Sequence, residues 1–274
     1  MTATVSLERA GGVAVAVLAN PPRHTMTAQT VAELAQLAEA IDADPSVRVL
    51  MLTGGGDGVF VAHYEVGELA AIAEHNLART TAPAERVELH PLHRVLLRLE
   101  SLRAVTIAAL NGNAAGGGCE LALACDFRLI ADGPYAIGLP ETSVGIIPGA
   151  GGTQRMARLL GTARALDLIL HGRLLAPAEA LALGLVHRVL PAAGFRDAAL
   201  EFAASLAGRA PLALAAAKQA IRRGVELPLE AALAVEQQAF ERTMRSRDAA
   251  GALRAFLGAS GGFARGEPYP WKGE

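Results

Sequence analysis

Short apolar runs alternate with amphipathic stretches through the first half of this chain and stop at Gly152. Val13–Leu18 carries no polar residue and is closed by Asn20-Pro21-Pro22, which predicts a buried strand. Thr27 is the predicted N-cap of a helix over 28–42, whose Val31, Leu34, Leu37, Ala38 and Ile41 share one face. A second strand is predicted over 47–53 and turned back by Gly54-Gly55-Gly56-Asp57-Gly58; a third over 104–110 is closed by Asn111-Gly112. A short helix from about Cys119 to Cys125 and a strand over Phe127–Ala131 follow. Strands separated by helices predict parallel pairing with right-handed crossovers, because a parallel partner requires the chain to be carried back to the same end.

From Gly152 onward the pattern is helical, broken at Gly161, Gly172, Pro177, Gly184, Pro191, Pro211, Gly224 and Pro228. Residues 178–183, Gly184 and 186–190 read as helix, C-cap and a last short strand. Long amphipathic helices are predicted over 210–222 and 229–245, and an irregular tail over 260–274. An α/β half is thus followed by a helical half.

Two glutamates stand in the glycine-rich segments near the end of the α/β half. Glu120 ends Asn111-Gly112-Asn113-Ala114-Ala115-Gly116-Gly117-Gly118-Cys119-Glu120, and Glu141 opens a run through Gly149-Ala150-Gly151-Gly152-Thr153-Gln154-Arg155. Bare glycines leave backbone N–H groups approachable, and a helix start adds unpaired N–H groups with partial positive charge. Two acids beside such amides suit acid–base chemistry on a carbonyl compound, with the amides facing a developing oxyanion. The glycine triplet alone serves a tight strand-to-helix turn equally well, Glu120 can simply favour a helix dipole, and Glu141 can be a surface acid.

Other classes fall away. Charged residues are 19% of the 274 and the net charge is −2, with Lys218 and Lys272 the only lysines, so no basic surface for nucleic acid is expected. Arginine still leaves phosphate-bearing ligands open, since its fork binds them without a basic patch. Cys119 and Cys125 lie too close in sequence for a disulfide framework and are expected as small core residues in a reducing setting. No apolar run approaches the ~20 residues that span a bilayer, and residues 1–10 lack the pattern of a secretory leader, so a soluble cytoplasmic protein is expected. The glycine runs lack the spacing of a dinucleotide fingerprint or a phosphate loop. Gly258-Ala259-Ser260-Gly261-Gly262 has the form of a nucleophile elbow with no strand before it. His90 and His93 lack a third ligand and are expected as a helical surface pair, and no metal site is predicted.

Together these stretches resemble the crotonase superfamily, the enoyl-CoA hydratases and isomerases. The resemblance rests on Ala108-Ala109-Leu110-Asn111-Gly112 through Ala122-Leu123-Ala124-Cys125-Asp126, and on Leu139-Pro140-Glu141 through Gly152-Thr153-Gln154-Arg155. It continues through 178–186 and the closing helices. It implies an α/β fold with a ββα spiral core over 1–195, a C-terminal helical trimerisation region over 196–258 and an irregular tail over 259–274. The implied assembly is a homotrimer or a dimer of trimers. The implied ligand is an acyl-CoA thioester, with coenzyme A part of the substrate and no other cofactor.

By that resemblance Glu120 and Glu141 hold and activate the water of a hydratase, and the N–H groups of Ala62 and Gly117 hold the thioester oxygen. Arg23, Thr25, Tyr64, Gly116 and Gly149 are the implied substrate contacts, with 23–26 meeting the nucleotide. Where the family usually has Ala-Gly-Ala-Asp this chain has Ala62-His63-Tyr64-Glu65, and it has His24-Thr25 where Asn-Ala is common. Retention of both glutamates favours hydration of a 2-trans-enoyl-CoA. The alternatives are another crotonase-type reaction on an acyl-CoA, either double-bond isomerisation or a specialised hydration or dehydration, and a catalytically silent acyl-CoA binder.

Overall fold

A computed structural model of the chain describes residues 4–78, 88–258 and 269–274. Strands β1 (Val5–Ala10) and β2 (Val13–Leu18) open the chain, and helix α1 (Ala28–Ala43) follows. Next come β3 (Val49–Gly54), β4 (Gly58–Val61), α2 (Val66–Leu77) and α3 (Pro91–Ser101). Then come β5 (Val105–Leu110), β6 (Gly112–Ala115), α4 (Gly117–Ala124), β7 (Phe127–Ala131) and β8 (Ile137–Gly138). A 3-10 turn, Glu141–Val144, leads to α5 (Gly152–Leu160), α6 (Thr162–Leu170), β9 (Leu174–Leu175), α7 (Pro177–Leu183) and β10 (Arg188–Leu190). The last helices are α8 (Phe195–Ala207), α9 (Pro211–Gly224), α10 (Leu229–Met244) and α11 (Arg247–Gly258).

The strands form two sheets, one in the order β1-β2-β3-β5-β7-β10 and the other β4-β6-β8-β9. Apart from the antiparallel β1–β2 and β8–β9 pairs, the pairing is parallel. The pairs β3/β4, β5/β6 and β7/β8 each place one strand in either sheet before a helical segment returns the chain, which is the ββα spiral. In the first sheet Val13, Val15, Val49, Met51, Ile107 and Leu129 face α8, while Ala14, Ala16, Leu50, Leu52, Ala108 and Ile130 face the main core. Burial on both faces is why these strands are continuous apolar runs rather than alternating ones.

Helix α1 starts where expected, with Thr27 and Thr30 forming a reciprocal capping box. Three features depart from the sequence reading. Residues 112–115, read as part of a glycine loop, form β6, and β9 and β1 are further strands. Helix α4 begins at Gly117, two residues before the expected start at Cys119, so glycines supply its first turn. His90 is the N-cap of α3 rather than part of a surface pair, and His93 is half-buried and bonded to the Gly149 backbone. The boundary drawn after residue 195 falls at the first residue of α8, whose Phe195, Ala199, Ala203 and Ala207 cover the sheet. Of the 258–262 motif and the 259–274 tail, only Gly258 and 269–274 lie within the described residues. Among the described residues no single helix is long and apolar enough to cross a membrane.

Candidate active site

The site forms where the second sheet meets α4. Strand β6 lies between β4 and β8, and its end is lashed to both: Ala115 N–H donates to the Ala62 carbonyl at 3.2 Å and Gly116 N–H to that of Gly138 at 3.0 Å. Gly116 then turns the chain at φ +51°, a region that strains any residue with a Cβ. A Cβ at Gly118 would strike the Val61 carbonyl oxygen, so glycine is what lets α4 seat against β4. These contacts bring 62–64, 116–117 and 139–141 side by side.

Glu120, in the first turn of α4, is only 3% exposed. Its Oε1 accepts from Ala150 N–H at 2.7 Å and Gly152 N–H at 2.8 Å, so the carboxyl is fixed in orientation. Burial raises its pKa, opposed by those two amides and by the charge of Arg155. Glu141 opens the 3-10 turn after Pro140, and its Oε1 lies 3.1 Å from where a Cβ of Gly116 would be. Its Oε2 is buried and accepts no hydrogen bond among the described residues. Burial, with the Glu120 charge adding, pushes Glu141 up to about 7, partly offset by its own backbone. The two carboxyls thus differ in setting: one is clamped by two amides, the other has a buried oxygen with no donor and a pKa raised by burial.

The expected amide pair is corrected at one member. Ala62 N–H donates to the His24 carbonyl at 3.0 Å, so it has no capacity left for a ligand. Two residues on, the Tyr64 nitrogen lies 3.4 Å from the position of a Gly117 Cβ. Neither Tyr64 N–H nor Gly117 N–H, at the start of α4, has an acceptor among the described residues. The Tyr64 ring is half-buried and its hydroxyl is tied to Glu68 of α2; burial first, and that carboxylate second, raise its pKa. His63 donates from Nδ1 to the Tyr64 carbonyl at 2.7 Å, and its Cβ flanks Gly116.

Thr25 also differs from expectation. It is buried, its hydroxyl donates to Glu65 Oε2 at 2.8 Å, and its carbonyl accepts from Asn20, so it ties the loop together rather than facing a ligand. Arg23 is exposed on that loop, close enough for its charge to act on Glu65. Gly149 is exposed, with open space where a side chain would be. The roles of Tyr64 N–H, Ala150, Gly152 and His93 were missed in the sequence, since each depends on backbone direction. Cys119 and Cys125 are buried free thiols, as expected of core residues. Among the described residues no three His, Cys, Asp or Glu side chains converge as a metal ion requires.

Comparison with known proteins identifies the family. The family model for enoyl-CoA hydratase/isomerase matches residues 8–260. The short-chain-enoyl-CoA hydratase of Clostridium acetobutylicum is 36% identical over 92% of this chain and 94% of its own. The 2,3-dehydroadipyl-CoA hydratase of Escherichia coli is 37% identical over 86% of this chain and 88% of its own. Among solved structures, an enoyl-CoA hydratase from Bacillus anthracis superposes with a TM-score of 0.86 at 33% identity, covering 99% of this chain and all of that one (100%). With a spiral fold, two carboxyls in the first turn of α4 and after β8, and matches along nearly its whole length, the chain belongs to the enoyl-CoA hydratase/isomerase family of the crotonase superfamily.

Proposed function

We propose that the protein is an enoyl-CoA hydratase that adds water, syn, across the double bond of a 2-trans-enoyl-CoA. The observation that carries this is the pairing of two unlike carboxyls, Glu120 and Glu141, beside two unpaired amides, Tyr64 N–H and Gly117 N–H. The thioester oxygen accepts from both amides. Glu120, with Oε1 held, takes a proton from water as the water oxygen bonds the β-carbon. Electron density moves onto the thioester oxygen, where the amides stabilise it most. Glu141 gives its proton to the α-carbon, and a proton passed from Glu120 to Glu141 resets the site. One water is consumed and no electrons are exchanged, so these four groups supply every step and coenzyme A enters only as part of the substrate.

Gly116 and Gly149 bound the acyl end in this reading, and Arg23 meets the anionic nucleotide end. Residue 25 does not take part, for the reason given above. We place the reaction in the cytoplasm, on the support of two unpaired buried thiols. A homotrimer or a dimer of trimers is supported by exposed Ile221, Val225, Leu229, Leu233 and Phe240 on and around α9 and α10. Light scattering at micromolar concentration is expected to read three or six chain masses, and a monomer would remove that part of the reading.

The pH profile tests the role of Glu141. A carboxyl raised to about 7 keeps its proton below that pH and loses it above. Because the proton is the one delivered to the α-carbon, kcat/KM is expected to fall as pH rises through about 7, reporting the free enzyme. Glu141→Gln should abolish that basic limb along with most turnover. A wild-type profile flat across neutral and mildly alkaline pH would contradict the assignment.

A further inference from the structure

We propose that Arg155 is a positioning residue that holds Glu120 in its working geometry through the 149–152 turn. The proposal rests on the hydratase reading and extends it to a side chain outside the reacting groups. The turn Gly149-Ala150-Gly151-Gly152 carries almost no side chain of its own, so nothing intrinsic fixes it. It nevertheless delivers two amides to one oxygen of Glu120, at 2.7 and 2.8 Å. The carbonyl between those amides, that of Ala150, points the other way and accepts from Arg155 Nη1 at 2.8 Å. Gly151, at φ +95°, lies directly over the same guanidinium, where a Cβ would collide with it.

The guanidinium is itself clamped. Its Nε and Nη2 donate to the two oxygens of Glu100 on α3 at 2.8 and 3.1 Å, a bidentate pair with both side chains mostly buried. Arg222 of α9 adds a bond to Glu100 at 3.2 Å and pairs with Asp126 at 2.8 Å, and Lys218 completes the chain on Asp126. Arg155 is the charged group acting on Glu120, and Glu120 the one acting on Glu141; those around Arg155 are Glu100, Arg222 and His93. One planar cation therefore performs two tasks that a lysine point charge cannot combine: it fixes a carbonyl and is locked by a carboxylate fork. Its charge also opposes the burial that raises Glu120. His93, bonded to the Gly149 backbone from the same face of α3 as Glu100, steadies the turn's first residue.

A double-mutant cycle on crotonyl-CoA hydration separates positioning from plain stability. Arg155→Met is expected to lower kcat about thirtyfold, within the range that a small misplacement of a catalytic group produces. It should also move the acidic limb of kcat/KM toward neutral pH, because an opposing cation near the carboxylate is gone. In a Glu120→Gln background the same change is expected to cost less than about threefold, since there is no base left to aim. Arg155→Lys should return the limb toward its wild-type position while leaving kcat depressed. Arg222→Met serves as the control for network loss, lowering Tm without moving the limb. If Arg155→Met does not fold, Glu100→Gln, which loosens one side of the clamp but keeps the cation, takes its place: kcat is expected to fall by a smaller factor, a loss that again shrinks in the Glu120→Gln background, with no move of the acidic limb toward neutral pH. Equal losses in both backgrounds, or an acidic limb unmoved by Arg155→Met, would overturn the proposal while leaving the hydratase reading intact. No turnover by wild type would sink both.

Discussion

Glu120→Gln is expected to lower kcat on crotonyl-CoA about a thousandfold, the mid-range effect of removing a positioned general base. The substitution is nearly isosteric. The glutamine oxygen can still accept from Ala150 and Gly152 N–H, so the turn stays in place, while the amide nitrogen cannot take a proton from water. Stability should hold or rise, because burial disfavours the charge that is being removed. KM should change little if the thioester oxygen and nucleotide carry most of the ground-state binding. Glu141→Gln should bring a loss of similar order, and the double variant should lose little more than the worse single one, since the two carboxyls act on one event. A loss under about tenfold in either single variant, with the fold intact by Tm, would remove that residue from the chemistry.

The second large effect is expected from the backbone. Gly117→Pro deletes one N–H at the first position of α4, where proline is well tolerated and where that N–H has no intrahelical partner. The preceding Gly116 has no Cβ for the proline ring to meet, but the proline Cβ comes 3.3 Å from the Tyr64 Cβ, so Gly117→Ala, which adds the same Cβ and keeps the N–H, is the comparison that isolates the donor. The loss of one such donor is worth roughly a hundredfold to a thousandfold in turnover. Binding of a saturated acyl-CoA should survive, because the amide acts mainly on charge that develops later. Tyr64→Phe keeps the other amide and removes only the hydroxyl bonded to Glu68, so its kcat/KM should stay within a few-fold of wild type. Full activity of Gly117→Pro, or collapse of Tyr64→Phe, would show that the oxyanion is held elsewhere.

What was legible in the sequence follows from which forces act locally. The buried parallel strands, the Thr27 cap and the helices after Gly152 were visible because apolar runs, caps and breakers report burial and chain direction directly. Strand β6 was hidden because its residues Gly112-Asn113-Ala114-Ala115 are poor strand formers in isolation; it is held by β4 and β8 on either side. Strand β1 is mostly exposed and α2 buries no residue, so neither leaves an apolar period to find. Glu120 and Glu141 were found because the resemblance rests on the segments that contain them. The Ala62 assignment failed because which amide is free is a property of backbone direction, and here His24 already accepts the Ala62 N–H. Thr25 failed for a related reason: a hydroxyl in a loop can face a ligand or bind the loop itself, and Glu65 decides it. The turn-gripping roles of Arg155 and His93 had no sequence signal, since they arise where α3 and α5 meet a segment distant in the chain.

The most direct test of the central claim is to incubate wild-type protein with crotonyl-CoA in heavy-oxygen water, follow loss of the conjugated enoyl-thioester absorbance, and weigh the product. The account predicts 3-hydroxybutyryl-CoA carrying one labelled oxygen, formed at a rate that Glu120→Gln and Glu141→Gln each abolish. A product of unchanged mass would assign the site to isomerisation. Tight binding with no product at all would make this chain a silent binder and contradict the hydratase mechanism outright.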